Sequence, residues 1–202
     1  HSGCVFIGTN AGLTAYTGAN NIAIGYGAMD DVDADATVGA ATENVFIGKD
    51  CGGGTWLTAA SNYNVGIGNY VMQSAMNGAL SNTAVGYAAL DGLEEGDKNS
   101  CFGKESGFLI EDGSLNTCIG AEAGNVIVDG TNNTCIGAST DPSAHGGTGQ
   151  IAIGKGVTCT GDNTITVGIT TSTASLDLNT SDEAWSAASD ERYKENIESS
   201  SA

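Results

Sequence analysis

SLNTCIGAEAGNVIVDGTNNTCIG, residues 114–137, carries the pentapeptide NTCIG twice, seventeen residues apart. The same spacing extends in both directions. A large apolar residue followed by Gly recurs at Gly8, Gly25, Gly48, Gly68, Gly86, Gly103, Gly120, Gly137, Gly154 and Gly168. The intervals are 17, 23, 20, 18, 17, 17, 17, 17 and 14 residues, and four consecutive seventeens mark a repeat architecture. Asn stands four residues before the Gly in seven of the ten copies, from Asn21 to Asn133. Seven residues before the motif Gly lies a second column, Gly18, Gly96, Gly113, Gly130, Gly147 and Gly161, with Ala41, Ser61 or Ala79 in other rungs. These glycines read as tight turns in which a missing Cβ permits positive φ.

Between turn and motif Gly lie about six residues of strand character. At about 3.3 Å per strand residue, a 17-residue rung closes only as a narrow, flattened coil of two short strands and two turns. Such coils stack, each strand pairing with its counterpart about 4.8 Å away. The fold class expected is all-β, a β-solenoid or β-roll over residues 1–168. Residues 169–188 break the period and read as a distal cap or linker, with Trp185 as an interchain anchor; 189–202 read as a short helical segment.

Alternation within the strand assigns faces. The residue before the Gly and the one two earlier, such as Ile24 and Ile22, are expected to point into the coil. The residue between them then points outward, in a column of Phe6, Ala23, Phe46, Gly66, Ala84, Cys101, Cys118, Cys135, Ala152 and Thr166. An apolar outward column calls for cover, and a parallel homotrimer about the fibre axis supplies it, with Phe6, Phe46, Cys101, Cys118 and Cys135 at the interface. A lone solenoid with a ligand groove on that face is the competing arrangement.

Composition narrows the partners. The formal net charge is −18, with only six Lys and Arg, which excludes a phosphate track as target and so nucleic acid. A solvated acidic surface is the plain account of that charge. No run of eighteen apolar residues suggests membrane insertion. The sequence begins at His1 without a basic-then-apolar leader, which reads as a piece of a longer chain with no targeting signal.

The strings NNIAIG, NNTCIG and GQIAIG resemble the head repeats of trimeric autotransporter adhesins, over residues 4–168. That resemblance implies a β-roll from each of three chains packed about a threefold axis, although adhesin rungs are mostly shorter than 17 residues. The stretch SDERYKENI, residues 189–197, resembles the opening of the intramolecular chaperone domain at the C-terminus of phage tailspikes, tail fibres and endosialidases. There the chain is cut between Ser and Asp once the trimer has folded. The resemblance implies Ser189 as nucleophile, Lys194 as its basic partner and Ser189–Asp190 as the scissile bond. Tyr193 stands where Leu is usual. The plain alternative is the start of a charged terminal helix. Only thirteen residues follow Ser189, so self-cleavage is expected only of a longer precursor.

Chemistry elsewhere is sparse. Cys101, Cys118 and Cys135 fall in one column at a spacing a disulfide accepts, yet side-by-side strands do not turn them together, so they read as small buried hydrophobes. Glu95, Asp112 and Asp129 form a carboxylate column whose hard-cation partner would be Ca²⁺; salt-screened turn acids are the plain account. No other cofactor is expected. The longer rungs insert loops at 30–43 and 49–63. Trp56 and Tyr63, with Asp30, Asp31 and Asp33, have the stacking and hydrogen-bonding groups to receive a sugar; equally, Trp56 pins its own loop. Neither His1 nor His145 has a Ser or Cys partner at recognisable spacing, and no enzyme is expected. Ile-Gly also resembles hexapeptide acyltransferases, but KESGFLIEDGSL (104–115) has no six-residue period.

These observations point to a viral, phage-type tail fibre or spike segment on the extracellular part of the virion. Its expected partners are other tail proteins and a host cell-surface glycan or protein. A bacterial trimeric autotransporter adhesin head is the alternative.

Overall fold

The computed structural model describes residues 2–14, 18–30, 40–56 and 59–178 and the backbone of Ser186–Ala187. Ser189, Asp190 and Lys194, the segment expected to be helical, Trp185, Asp31 and Asp33 lie outside the described residues. The chain is an all-β parallel solenoid with rungs of about 17 residues. Each rung contributes one short strand: β1 Val5–Ile7, β2 Ile22–Ile24, β3 Val45–Ile47, β4 Val65–Ile67, β5 Thr83–Val85, β6 Ser100–Phe102, β7 Thr117–Ile119, β8 Thr134–Ile136, β9 Ile151–Lys155 and β10 Thr164–Ile169. Neighbours pair parallel and in register along the chain, so Cys101 stands beside Cys118 and Cys118 beside Cys135. The parallel stack then ends. β11 Ser172–Asp177 folds back antiparallel on β10, and β12 Ser186–Ala187 pairs antiparallel with β11.

Two strands per rung were expected and one is found. On the other sides, turns stack on turns through backbone hydrogen bonds between rungs, such as Gly107 N–H to Ala123 O (2.9 Å) and Gly124 N–H to Thr140 O (2.7 Å). Isolated parallel bridges such as Thr131–Thr148 are all that remain of a second sheet among the described residues. The chain turns too often for longer strands. Left-handed residues such as Lys98 and Leu115, just before the ladder Asn, and Glu105 and Glu122, two after the motif Gly, bend each rung.

The glycine columns differ in physical cause. Motif Gly120 has φ 136°, and a Cβ there would lie 2.6 Å from the carbonyl carbon of Gly137 in the next rung. The second column lacks positive φ, contrary to expectation. A Cβ on Gly130 would lie 2.6 Å from the carbonyl oxygen of Gly147, so close approach of the next rung excludes a side chain.

The faces are the reverse of those expected. The middle residue of each three-residue strand points inward: Ala23, Phe46, Ala84, Cys101, Cys118, Cys135 and Ala152 are buried in the coil of a single chain, and Phe6 packs against that core. They are therefore core and not a trimer interface. The physical reason is the supply of large side chains from the opposite wall. Leu90, Leu93, Ile110 and Ile127 are fully buried there, leaving room for only Ala or Cys at mid-strand. Phe6 and Phe46 are exceptions, each with a glycine that makes room: a Cβ on Gly12 would sit 2.8 Å from the Phe6 ring, and one on Gly66 would sit 2.6 Å from the Phe46 ring. The flanking Ile, Val and Phe residues face outward, with Ile7 57%, Phe102 41% and Ile119 42% exposed.

Inside the coil, the recurrent Asn side chains form a ladder. Asn82, Asn99, Asn116 and Asn133 are fully buried. Asn99 Oδ1 accepts from the backbone N–H (2.9 Å) and Nδ2 (3.1 Å) of Asn116. Asn116 Nδ2 also donates to Gly130 O at 2.8 Å. Each amide thus joins its own strand to the turn glycine of the following rung, which explains why the Asn and second Gly columns travel together. Gln150 takes over at the end, accepting from Ser143 N–H and donating to Asp162.

Candidate functional site

Three surfaces of this scaffold carry side chains that could act on something outside it. The first comprises the turn and inserted-loop residues. Trp56 is only 1% exposed and stands edge-on to Phe46, with ring centroids 6.1 Å apart at 77°. Its indole fills the widened third rung, so it is not a sugar-stacking surface. The indole Nε1–H is buried without a hydrogen-bond partner among the described residues. Tyr63 is exposed and sits in the left-handed region at φ 62°. Asp30 is half-buried, and its carbonyl accepts from Thr14 Oγ1 at 2.8 Å. Trp56 and Tyr63 therefore do not form one site.

The carboxylate column also fails to converge. Glu95, Asp112 and Asp129 are exposed turn residues, and Glu95 accepts a 2.8 Å hydrogen bond from Asn77 Nδ2. Among the described residues no three His, Cys, Asp or Glu side chains come close enough to hold a metal ion. One rung of spacing, about 4.8 Å, separates like charges that point to solvent and not to a common centre. The cysteines are free, and all but Cys4 are buried. Hydrogen bonding to Cys101 holds the Cys118 thiol well above the ordinary range. Hydrogen bonding to Cys118 and burial do the same for Cys135. Burial pushes Cys51 up to about 12. Thiols so protonated are poor nucleophiles.

The outward strand face is the second surface. The residue preceding each motif Gly forms a continuous ridge of Ile7, Ile24, Ile47, Ile67, Val85, Phe102, Ile119, Ile136, Ile153 and Val167. Nine intervals of about 4.8 Å make the ridge roughly 43 Å long. No charged residue interrupts it. A contiguous apolar strip of this length is unusual on a solitary soluble chain.

The third surface was not found from the sequence. Beside the turns of the middle rungs, Tyr70, Gln73, Tyr87, Ala88, Asp91, Glu105 and Phe108 line a cleft of about 380 Å³. Glu105 and Phe108 continue into a second hollow of about 510 Å³ with Leu109, Asn125 and Val126. The Tyr70 and Tyr87 rings meet edge to face, 5.6 Å apart at 81°. Lys49 donates to Tyr70 Oη at 2.6 Å and lies 4.7 Å from the centroid of that ring. The hydrogen bond to Tyr70 is the main reason the Lys49 pKa is raised. Asp91 Oδ1 is buried without a hydrogen-bond partner among the described residues, and burial pushes that carboxyl above the usual range. Alignment of the rungs on the motif Gly was the available signal. Tyr87 follows its Gly directly, Tyr70 and Glu105 come two after theirs, and Gln73, Asp91, Phe108 and Asn125 come five after.

Compared with protein-family models, curated proteins and solved structures, the chain matches none. Among the described residues no helix is long and apolar enough to cross a membrane.

Proposed function

We propose that this chain is a structural segment of a viral tail fibre or spike, a rigid extracellular rod in which three copies pack in parallel. One observation carries the reading: the outward ridge from Ile7 to Val167 is apolar, unbroken and repeated at every rung. In-register strands give every copy the same spacing along the axis, so copies match one another rung for rung. Burying the remaining surface of a ridge Ile favours association by on the order of 1–2 kcal/mol. The resemblance of SDERYKENI to a trimer-specific chaperone domain supports the same assembly. Other tail proteins are the partners expected at the ends of the rod, and a host cell-surface glycan or protein is its target. The bacterial adhesin head remains the second reading, favoured by the NNIAIG and NNTCIG strings.

Size-exclusion chromatography with light scattering tests the assembly. A trimer of the 20.2 kDa chain has a mass of about 61 kDa, three times the chain mass. Replacing Ile119 and Ile136 together by Asp is expected to yield 20.2 kDa monomers with unchanged far-UV circular dichroism. A monomeric unmutated protein at micromolar concentration, or a trimer indifferent to both substitutions, overturns the reading.

A further inference from the structure

We propose that the cleft between Tyr70, Tyr87, Asp91, Glu105 and Phe108 is a binding site for a small organic cation of the quaternary-ammonium or methylated-amine class. This inference uses none of the ridge residues and stands whether or not the chain forms a fibre.

Three features of the cleft converge on that ligand. First, its walls are aromatic: Tyr70, Tyr87 and Phe108 come from three successive rungs, and Tyr87 is 50% exposed. The negative face of an aromatic ring attracts a cation, and quaternary ammonium groups are the ligands most often held this way. Second, the remaining polar lining accepts more than it donates. Asp91 and Glu105 are acceptor-only carboxylates, and the donors beside them are the Gln73 amide and the Tyr70 and Tyr87 hydroxyls, the first of which also accepts from Lys49. A neutral polyhydroxylated ligand needs donors as well as acceptors around it, whereas a methylated cation needs only negative charge and apolar contact. Third, Asp91 carries a buried oxygen that no hydrogen bond satisfies among the described residues. A cation in the cleft would stand against the accessible side of this half-buried carboxylate and lower the cost of keeping it charged.

The charged and titratable groups around Asp91 are few. Glu105 and the phenols of Tyr70 and Tyr87 share the cleft. Lys104 lies outside its lining, 3.1 Å from Glu105 and 3.9 Å from Glu122, and Lys49 is held on Tyr70. Glu105 is therefore partly neutralised and Asp91 is the carboxylate left for a ligand. Burial alone accounts for the raised pKa of Asp91. An arriving cation favours its ionised form, so binding releases a proton, and affinity strengthens as pH rises through the Asp91 titration.

Choline and its neutral isostere 3,3-dimethylbutanol, titrated into the whole chain at constant ionic strength and followed by amide NMR, test the proposal. The expected result is saturable choline binding with shifts confined to the rungs of Tyr70, Tyr87 and Phe108, and at least tenfold weaker binding of the isostere. Tyr87→Ala and Asp91→Asn should each weaken choline by roughly fivefold or more. Glu95→Gln, which removes one charge from a side chain that does not line the cleft, should leave it unchanged. Asp91→Asn keeps the side-chain shape, so a folded variant is available, and it should abolish the pH dependence. Equal affinity for the isostere, no saturation by choline, loss of binding in Glu95→Gln as large as in Asp91→Asn, or preference for neutral sugars would each overturn the proposal.

Discussion

Asn116 sits in mid-stack with an Asn on either side, and replacing it by Ala removes four side-chain hydrogen bonds in one step. Its Nδ2 donates to Asn99 Oδ1 (3.1 Å) and to Gly130 O (2.8 Å), and its Oδ1 accepts from the N–H (3.0 Å) and Nδ2 (3.1 Å) of Asn133. Removal costs more than the net value of four bonds, because partners stay behind in a dry interior. The Gly130 carbonyl loses this donor and the Asn133 N–H loses its acceptor, each in a buried setting. At about 1–3 kcal/mol per stranded group, the expected loss is roughly 3–5 kcal/mol. That is a large part of the ~5–15 kcal/mol that holds a typical domain together. Urea denaturation followed by circular dichroism measures it, with Thr117→Ala, on the outward side of the same strand, as control. Asn116→Asp separates hydrogen bonding from volume. The aspartate cannot donate at neutral pH, and burial raises its folded-state pKa. Its deficit should therefore be largest near pH 7 and shrink as pH falls and the carboxyl is protonated. An Asn116→Ala loss no greater than that of Thr117→Ala would refute the ladder as the element joining the rungs.

Three further outcomes follow from the same geometry. Gly120→Ala, which places a Cβ against the Gly137 carbonyl at φ 136°, should destabilise by more than about 2 kcal/mol; Gly161→Ala, with nothing within 4 Å, should be neutral within about 0.5 kcal/mol by the same urea assay. Cys118 should resist a thiol reagent at pH 8 in the folded protein and react fully in denaturant, whereas half-buried Cys4 reacts in both. Equal rates for the two in the native state would contradict the burial of the column. Burial raises the Asp141 pKa, so its folded form favours the proton. That contribution is complete below the unfolded value of about 3.9 and is lost as pH rises through the folded value. Asp141→Asn should accordingly gain stability over the unmutated chain at pH 7, with the gap closing below about pH 4, as read by thermal melts across pH.

The stacked-rung fold was legible because it is written in intervals. Repetition of apolar-Gly at seventeen residues requires no knowledge of packing, and a ribbon so short can only coil and stack. The Asn column was equally visible, although its meaning needed the next rung: Asn116 finds Gly130 only when two coils lie on each other. The cleft was harder to see. Tyr70, Tyr87, Asp91, Glu105 and Phe108 span 39 positions of sequence and belong to no motif. They become neighbours because stacking brings the positions one, two and five after the motif Gly of successive rungs to one side of the coil.

What the sequence determined by itself was the period and the stacking of one rung on the next, since these depend only on local spacing. Which face of the strand is the inside was decided by tertiary structure alone. Alternation separates two sets of residues but carries no sign, and greater bulk on one side reads equally as core or as contact surface. The sign comes from the opposite wall, where Leu93, Ile110 and Ile127 reach across the coil and leave space for Cys and Ala but not for a second column of Ile. Those Ile residues are turned outward for want of room, and the surface they create is a consequence of how thin the coil is.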